Sequence, residues 1–221
     1  MCGAALNKER IIMRALSLTA AVLAAGLAFT FTGCGSKDSE ESSEAVTAKY
    51  TTAELAEKIT VCGHQLNSPM TFADLGDDFF LDSYVQESST SAIINIFDQN
   101  GIVCALEYHY TPDDMSKEQP DDTTVRFTPS DFENRQIDSI LFTPNDFNRD
   151  AVSIDGFTAN DGMDVLEEKL GEPTSKPNGL YVYDTTDGGR LEVLEAAGKI
   201  FSINFYLSDP ENSETQNAIY R

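Results

Sequence analysis

The stretch Lys199 to Leu207 constrains this chain more than any other, because Phe201, Ile203, Phe205 and Leu207 alternate with Ser202, Asn204 and Tyr206. A period of two places the apolar set on one side of an extended strand, so the pattern predicts a sheet with one buried face. Leu180 to Tyr183 and Arg190 to Glu195 precede it as strands, separated by turns at Asp187-Gly188-Gly189 and Ala196-Ala197-Gly198. Ala92 to Phe97 and Ile102 to Tyr110 flank Asp98-Gln99-Asn100-Gly101, whose Asn-Gly pair signals a hairpin. On the second of these strands Ile102, Cys104, Leu106 and Tyr108 share the expected buried face, and Glu107 and His109 share the other. Shorter strand-like segments lie at 59–62, 123–128, 137–143 and 151–154. No pair of strands is spaced like a βαβ unit, so the sheets should be antiparallel and the class α+β.

The helices are few and short. Thr51 and Glu54 have capping-box spacing ahead of Leu55 and Ile59. Thr71 can cap a turn or two over Phe72, Ala73 and Leu75 that ends at Gly76. A third helix is predicted from Gly162 to Leu170, with Met163, Leu166 and Leu170 on one stripe, Gly171 to stop it and Pro173 beyond. The strand, turn, helix and meander of the first half recur in the second. The expected architecture is therefore two similar lobes, 50–122 and 123–207, each a short helix packed on an antiparallel sheet. Thr111 to Asp122, with Pro112 and Pro120, reads as an exposed loop between them.

The N-terminus reads as an address. Lys8, Arg10 and Arg14 precede an uncharged run from Ala15 to Phe31, the pattern of a secretory signal. Its 17 residues sit at the lower limit for a spanning helix. The run ends at Phe31-Thr32-Gly33-Cys34, which resembles a lipobox with Phe31 in the position usually held by Leu. That resemblance implies a signal peptide over 1–33, diacylglyceryl modification of Cys34, and a membrane-anchored, extracytoplasmic protein. Residues 34–49 are rich in Ser, Glu, Asp and Lys and read as a flexible tether. Met13 followed by Arg14 would make a compact signal by itself, so translation starting at Met13 is expected over Met1. The tail 208–221 is polar and expected to fray.

Without residues 1–33 the chain keeps 12 basic and 36 acidic residues, a formal charge of −24. Such a field repels phosphate backbones and anionic headgroups, so nucleic acid is a poor partner and the domain should stand off the membrane that holds it. Cys62 and Cys104 each lie in an apolar segment. Outside the cytosol they could be bridged, or they could be two separate buried thiols.

Gly156-Phe157-Thr158, Val165-Leu166 and Leu170-Gly171-Glu172-Pro173, followed by Gly198-Lys199-Ile200, resemble the BamE/SmpA and β-lactamase-inhibitor-protein modules over residues 151–207. Pro69-Met70-Thr71-Phe72 to Leu75-Gly76 is a weaker echo, which implies a tandem copy. The layout also resembles lipoproteins of Gram-positive gut bacteria. Such modules commonly bind other proteins at envelopes, so the resemblance implies another envelope protein as the partner.

No nucleophile elbow, phosphate loop or dinucleotide fingerprint is present. No catalytic, cofactor-binding or metal-ligating residue is therefore assigned, and the one site residue expected is Cys34. His64 and His109 have no second ligand at zinc spacing and read as solvated polar residues. Asp77-Asp78, Asp113-Asp114 and Asp121-Asp122 lack the spacing of a calcium loop and read as solvated charge. The functional expectation is a lipid-anchored binding or protein-interaction module of unknown ligand. The alternative is an envelope hydrolase with an acidic site that no motif announces.

Overall fold

Local capping chemistry sets the entry into the fold. A computed structural model describes residues 46–116 and 127–208. The expected signal peptide, Cys34, most of the tether, Asp121-Asp122, most of the 123–128 segment and nearly all of the tail lie outside the described residues. Thr51 caps α1 (Thr52–Ala56), and its N–H donates to the Glu54 carboxylate at 2.8 Å. Thr71 does the same with Asp74 ahead of a single 3₁₀ turn, Phe72–Leu75. Helix α2 (Pro112–Ser116) lies inside the expected loop, and α3 (Met163–Leu170) buries Met163, Leu166 and Leu170. Ahead of α3, Thr158 donates through its N–H and hydroxyl to Asp161, a capping turn that fills the stretch between the G-x-T motif and the helix.

The strands form two antiparallel sheets, which with these short helices make a mixed α+β fold. The small sheet joins β1 (Ile59–Val61), β2 (His64–Gln65) and β7 (Val152–Ile154) in the order β2-β1-β7. The large sheet has seven strands: β3 (Phe80–Glu87), β4 (Ser91–Asp98), β5 (Gly101–His109), β6 (Ser139–Phe142), β8 (Leu180–Asp184), β9 (Arg190–Ala196) and β10 (Lys199–Tyr206). Their order is β3-β4-β5-β6-β10-β9-β8. Two meanders, β3-β4-β5 and β8-β9-β10, are thus zipped together by β6, which pairs with β5 on one side and β10 on the other.

One face of the large sheet carries the core. Leu106, Tyr108, Ile140, Phe142, Ile203, Phe205, Leu191 and Val193 are buried there in the same cluster as Leu55, Ile59, Val61, Leu166 and Leu170. The N-terminal helix is tied to the far end of the chain: Thr52 donates through its N–H and hydroxyl to Asp187 at 2.7 and 2.6 Å.

Three expected burials are corrected. The bulge between Ile200 and Ser202 on β10 swings Phe201 outward to 52% exposure and puts Ile200 into the core instead. A second irregularity between Ile96 and Phe97 leaves Val103 as the extra residue and turns Ile102 out to 50% exposure. A bulge inverts the alternation on one side of itself, so a reading that holds for Cys104 to Tyr108 fails at Ile102. Cys62 lies in the turn after β1 with φ 49°, not in the strand.

Candidate binding face of the large sheet

The other face of the large sheet offers a continuous cross-strand ladder. One row runs Ile93, Glu107, Ser139, Tyr206, Arg190, Asp184, each directly opposite the next across β4, β5, β6, β10, β9 and β8. The next row runs Asn95, Ala105, Leu141, Asn204, Glu192, Val182. Most of these side chains are half-buried, as on a sheet face whose residues shield each other with no covering layer among the described residues. Ser139 is buried under its neighbours, and Val182 is covered where Ser175 bridges to it at the edge.

The polar side chains hold one another in place. Ser139 Oγ donates to Glu107 Oε2 at 2.8 Å. His109 stands between two carboxylates, with Nε2 3.9 Å from Glu107 Oε1 and Nδ1 3.8 Å from Asp138 Oδ1. Both separations are too long for hydrogen bonds, so they act as ion pairs only when the imidazole is protonated. Asp138 is held by the His109 N–H at 2.7 Å. Arg190 bonds Asp184 at 2.7 Å and lies 3.7 Å from Glu192, to which Tyr206 donates at 3.4 Å. Burial raises the Glu192 carboxyl above its ordinary range against the pull of Arg190. Burial, then the charges of Glu192 and Glu107, push the Tyr206 phenol up to about 12.

The arrangement does not resemble an acyl-transfer centre. The Ser139 proton goes to a carboxylate and not to an imidazole, so the serine is not activated as a nucleophile by His109. Among the described residues no three His, Cys, Asp or Glu side chains are grouped to hold a metal ion. His109 was visible beforehand only as a solvated strand residue. Its partner Glu107 follows from the strand's period of two, but Asp138, Ser139 and Tyr206 come from 29 or more residues away and only the sheet brings them in.

Asp114 is buried, not solvated: it accepts from the Thr111 N–H and hydroxyl and from Arg135 at 2.7 Å. Burial raises its carboxyl, but those bonds and the guanidinium outweigh it and hold the group below its ordinary range. Asp113 is exposed at the start of α2. His64 lies edge-on to Phe79 and 3.3 Å from Asp78. Cys62 and Cys104 are free thiols, the first exposed and the second buried, and burial raises both. A solvent-open groove of about 590 Å³ lies beside the small sheet, lined by Tyr50, Glu57, Lys58, Gln65 and Asp155 among others. Lys58 there is committed to Asp155 at 3.4 Å and to the Tyr50 ring.

Among the described residues no helix is long and apolar enough to cross a membrane. No family model matches the chain, and neither a curated protein nor a solved structure matches it.

Proposed function

We propose that this chain is a lipid-anchored, extracytoplasmic binding or protein-interaction module, attached to the membrane through Cys34, with the uncovered face of the large sheet as its working surface. The observation that carries this reading is the ladder from Ile93 to Asp184: six strands wide, half-buried, and mixing apolar side chains with pre-positioned donors and acceptors. Recognition surfaces need that mixture, and a rigid sheet supplies it with little ordering cost on binding.

The same reading takes residues 50–122 and 123–207 as two similar lobes of the BamE/SmpA-like kind, in tandem. Several repeats support it. Val61-Cys62-Gly63-His64 and Ile154-Asp155-Gly156-Phe157 are both tight turns, with positive φ at Cys62, Gly63, Asp155 and Gly156. The β1–β7 pairing places Thr60 opposite Ser153 and exchanges Ile59 with Ile154 and Val61 with Val152, as a local twofold between equivalent strands requires. Leu75-Gly76 and Leu170-Gly171 end the two following helical segments with similar glycine conformations, φ 98° and 89°. The alternative of an acidic envelope hydrolase draws on one observation, the flanking of His109 by Glu107 and Asp138.

The test is in cells. A photo-crosslinking residue at Leu141 or Asn204 should give a discrete adduct that one at Thr60, on the small sheet, does not. Cys34→Ala should move the protein from the membrane to the soluble fraction, because two acyl chains at ~0.8 kcal/mol per buried CH₂ dominate the anchoring. Adducts that ignore position, or a Cys34→Ala protein that stays acylated and membrane-bound, would overturn the reading.

A further inference from the structure

The bulge that turns Ile102 outward completes an apolar row at one end of the uncovered face. Phe80, Phe97 and Ile102 are successive cross-strand partners on β3, β4 and β5. Phe80 and Phe97 stack at 5.9 Å with their planes 6° apart, yet Phe80 is 54% exposed. Tyr84, 67% exposed, lies on the same strand as Phe80 within a stretch that bulges away from β4. Phe147 is 98% exposed on a loop whose Asn148 donates at 3.4 Å to the carbonyls of Ile102 and Val103, which pins that loop to the same end of β5. A soluble chain gains nothing by displaying stacked aromatic rings to water, and grouped exposed rings mark contact surfaces.

On the strands that carry this row the charge has one sign. Residues 59–116 contain no Lys or Arg, against nine acids: Asp74, Asp77, Asp78, Asp82, Glu87, Asp98, Glu107, Asp113 and Asp114. Asp82 lies between Phe80 and Tyr84 on β3 and accepts from the Tyr84 N–H at 3.2 Å. Asp98 closes the β4–β5 turn, with Asn100 and Gly101 donating to it, and those bonds outweigh burial and hold its carboxyl below the ordinary range, so it is ionised. Asp146 precedes Phe147 on the loop, and Arg149, two residues beyond, is engaged by Asn160 and the Ala159 carbonyl.

We infer that the Phe80, Phe97 and Ile102 row, with Tyr84 and Phe147 beside it, docks a cationic segment of another extracytoplasmic protein, whose apolar side chains cover the rings while its Lys or Arg groups meet Asp82, Asp98 and Asp146. The inference rests on the binding-module reading and names the partner's chemistry. An anionic membrane surface is the wrong occupant, since the same carboxylates would repel it. A second copy of this acidic chain is wrong for the same reason.

The probe is a fluorescein-labelled peptide of repeated Lys-Phe-Lys-Leu units, titrated with the full chain in nonionic detergent and read by anisotropy. Its Glu-Phe-Glu-Leu counterpart is the charge control. The cationic peptide should bind and the acidic one should not. Phe147→Ser, which removes a side chain 98% exposed, should weaken binding by roughly fivefold or more at unchanged melting temperature, and Phe80→Ser should weaken it as much while also losing the stack on Phe97. Phe201→Ser, equally exposed but on β10, should leave it unchanged. Binding that survives Phe147→Ser and Phe80→Ser would show plain attraction to an acidic protein and overturn the inference. So would failure of the cationic peptide to bind, or the chain's attachment through this patch to phosphatidylglycerol vesicles. A crosslinked adduct from Leu141 in cells together with a failed peptide titration would retain the module and discard this patch.

Discussion

Asp114 illustrates how one side chain can couple stability to pH. Its folded-state pKa lies below its ordinary value, so the stability it contributes is present above the unfolded carboxylate range and is lost as pH falls through the folded value. Asp98 and Asp187 are depressed in the same direction, Asp187 because Thr52 outweighs its burial. Glu192 is raised and has the opposite sign, gaining stability as it protonates. Urea midpoints should therefore drop between about pH 5 and pH 2, with Asp114→Asn flattening the drop and Glu192→Gln steepening it. At the end of α3, Gly171 has φ 89° and ψ −168°, a region open essentially only to glycine. Gly171→Val should cost about 1–3 kcal/mol of unfolding free energy by denaturant titration, more than a left-handed cap would. The need for glycine there is readable from Leu170-Gly171-Glu172-Pro173, whereas the extended form of its backbone is not.

At the scale of elements, β10 separates what periodicity can and cannot say. Ile203, Phe205 and Leu207 are buried as their alternation requires, and Phe201 is not, because the bulge after Ile200 resets the phase. Ile200→Ala should cost about 2–5 kcal/mol, whereas Phe201→Ala should stay within about 0.5 kcal/mol. Equal losses at the two positions would mean that the bulge is absent in solution. The hairpin of β4 and β5 was legible from Asp98 to Gly101, the capping box at Thr51 from Glu54, and the cap at Thr71 from the apolar turn that ends at Gly76. Each of these signals is local, so neighbouring residues suffice to produce it. The bulges were not legible, since they follow from how two distant strands share a register.

For the whole molecule the decisive strand is β6, four residues long and paired on both sides. With Ile140 only 3% exposed between β5 and β10, Ile140→Ala should lower unfolding free energy by about 2–5 kcal/mol. Residues from both halves share one buried cluster, so the loss should appear in a single cooperative transition, monitored together by tyrosine fluorescence and circular dichroism. What the sequence determined alone was the inventory: antiparallel strands from alternation, three short helical segments from caps and stops, and an acidic surface from composition. Tertiary structure decided the rest. The strands of both halves are joined in one sheet, α1 is tied to Asp187 across the chain, and Glu107, Asp138, Ser139 and Tyr206 meet around His109. Alternation and capping are set by residues within a few positions of each other, while register, bulges and the meeting of remote side chains depend on which surfaces bury one another.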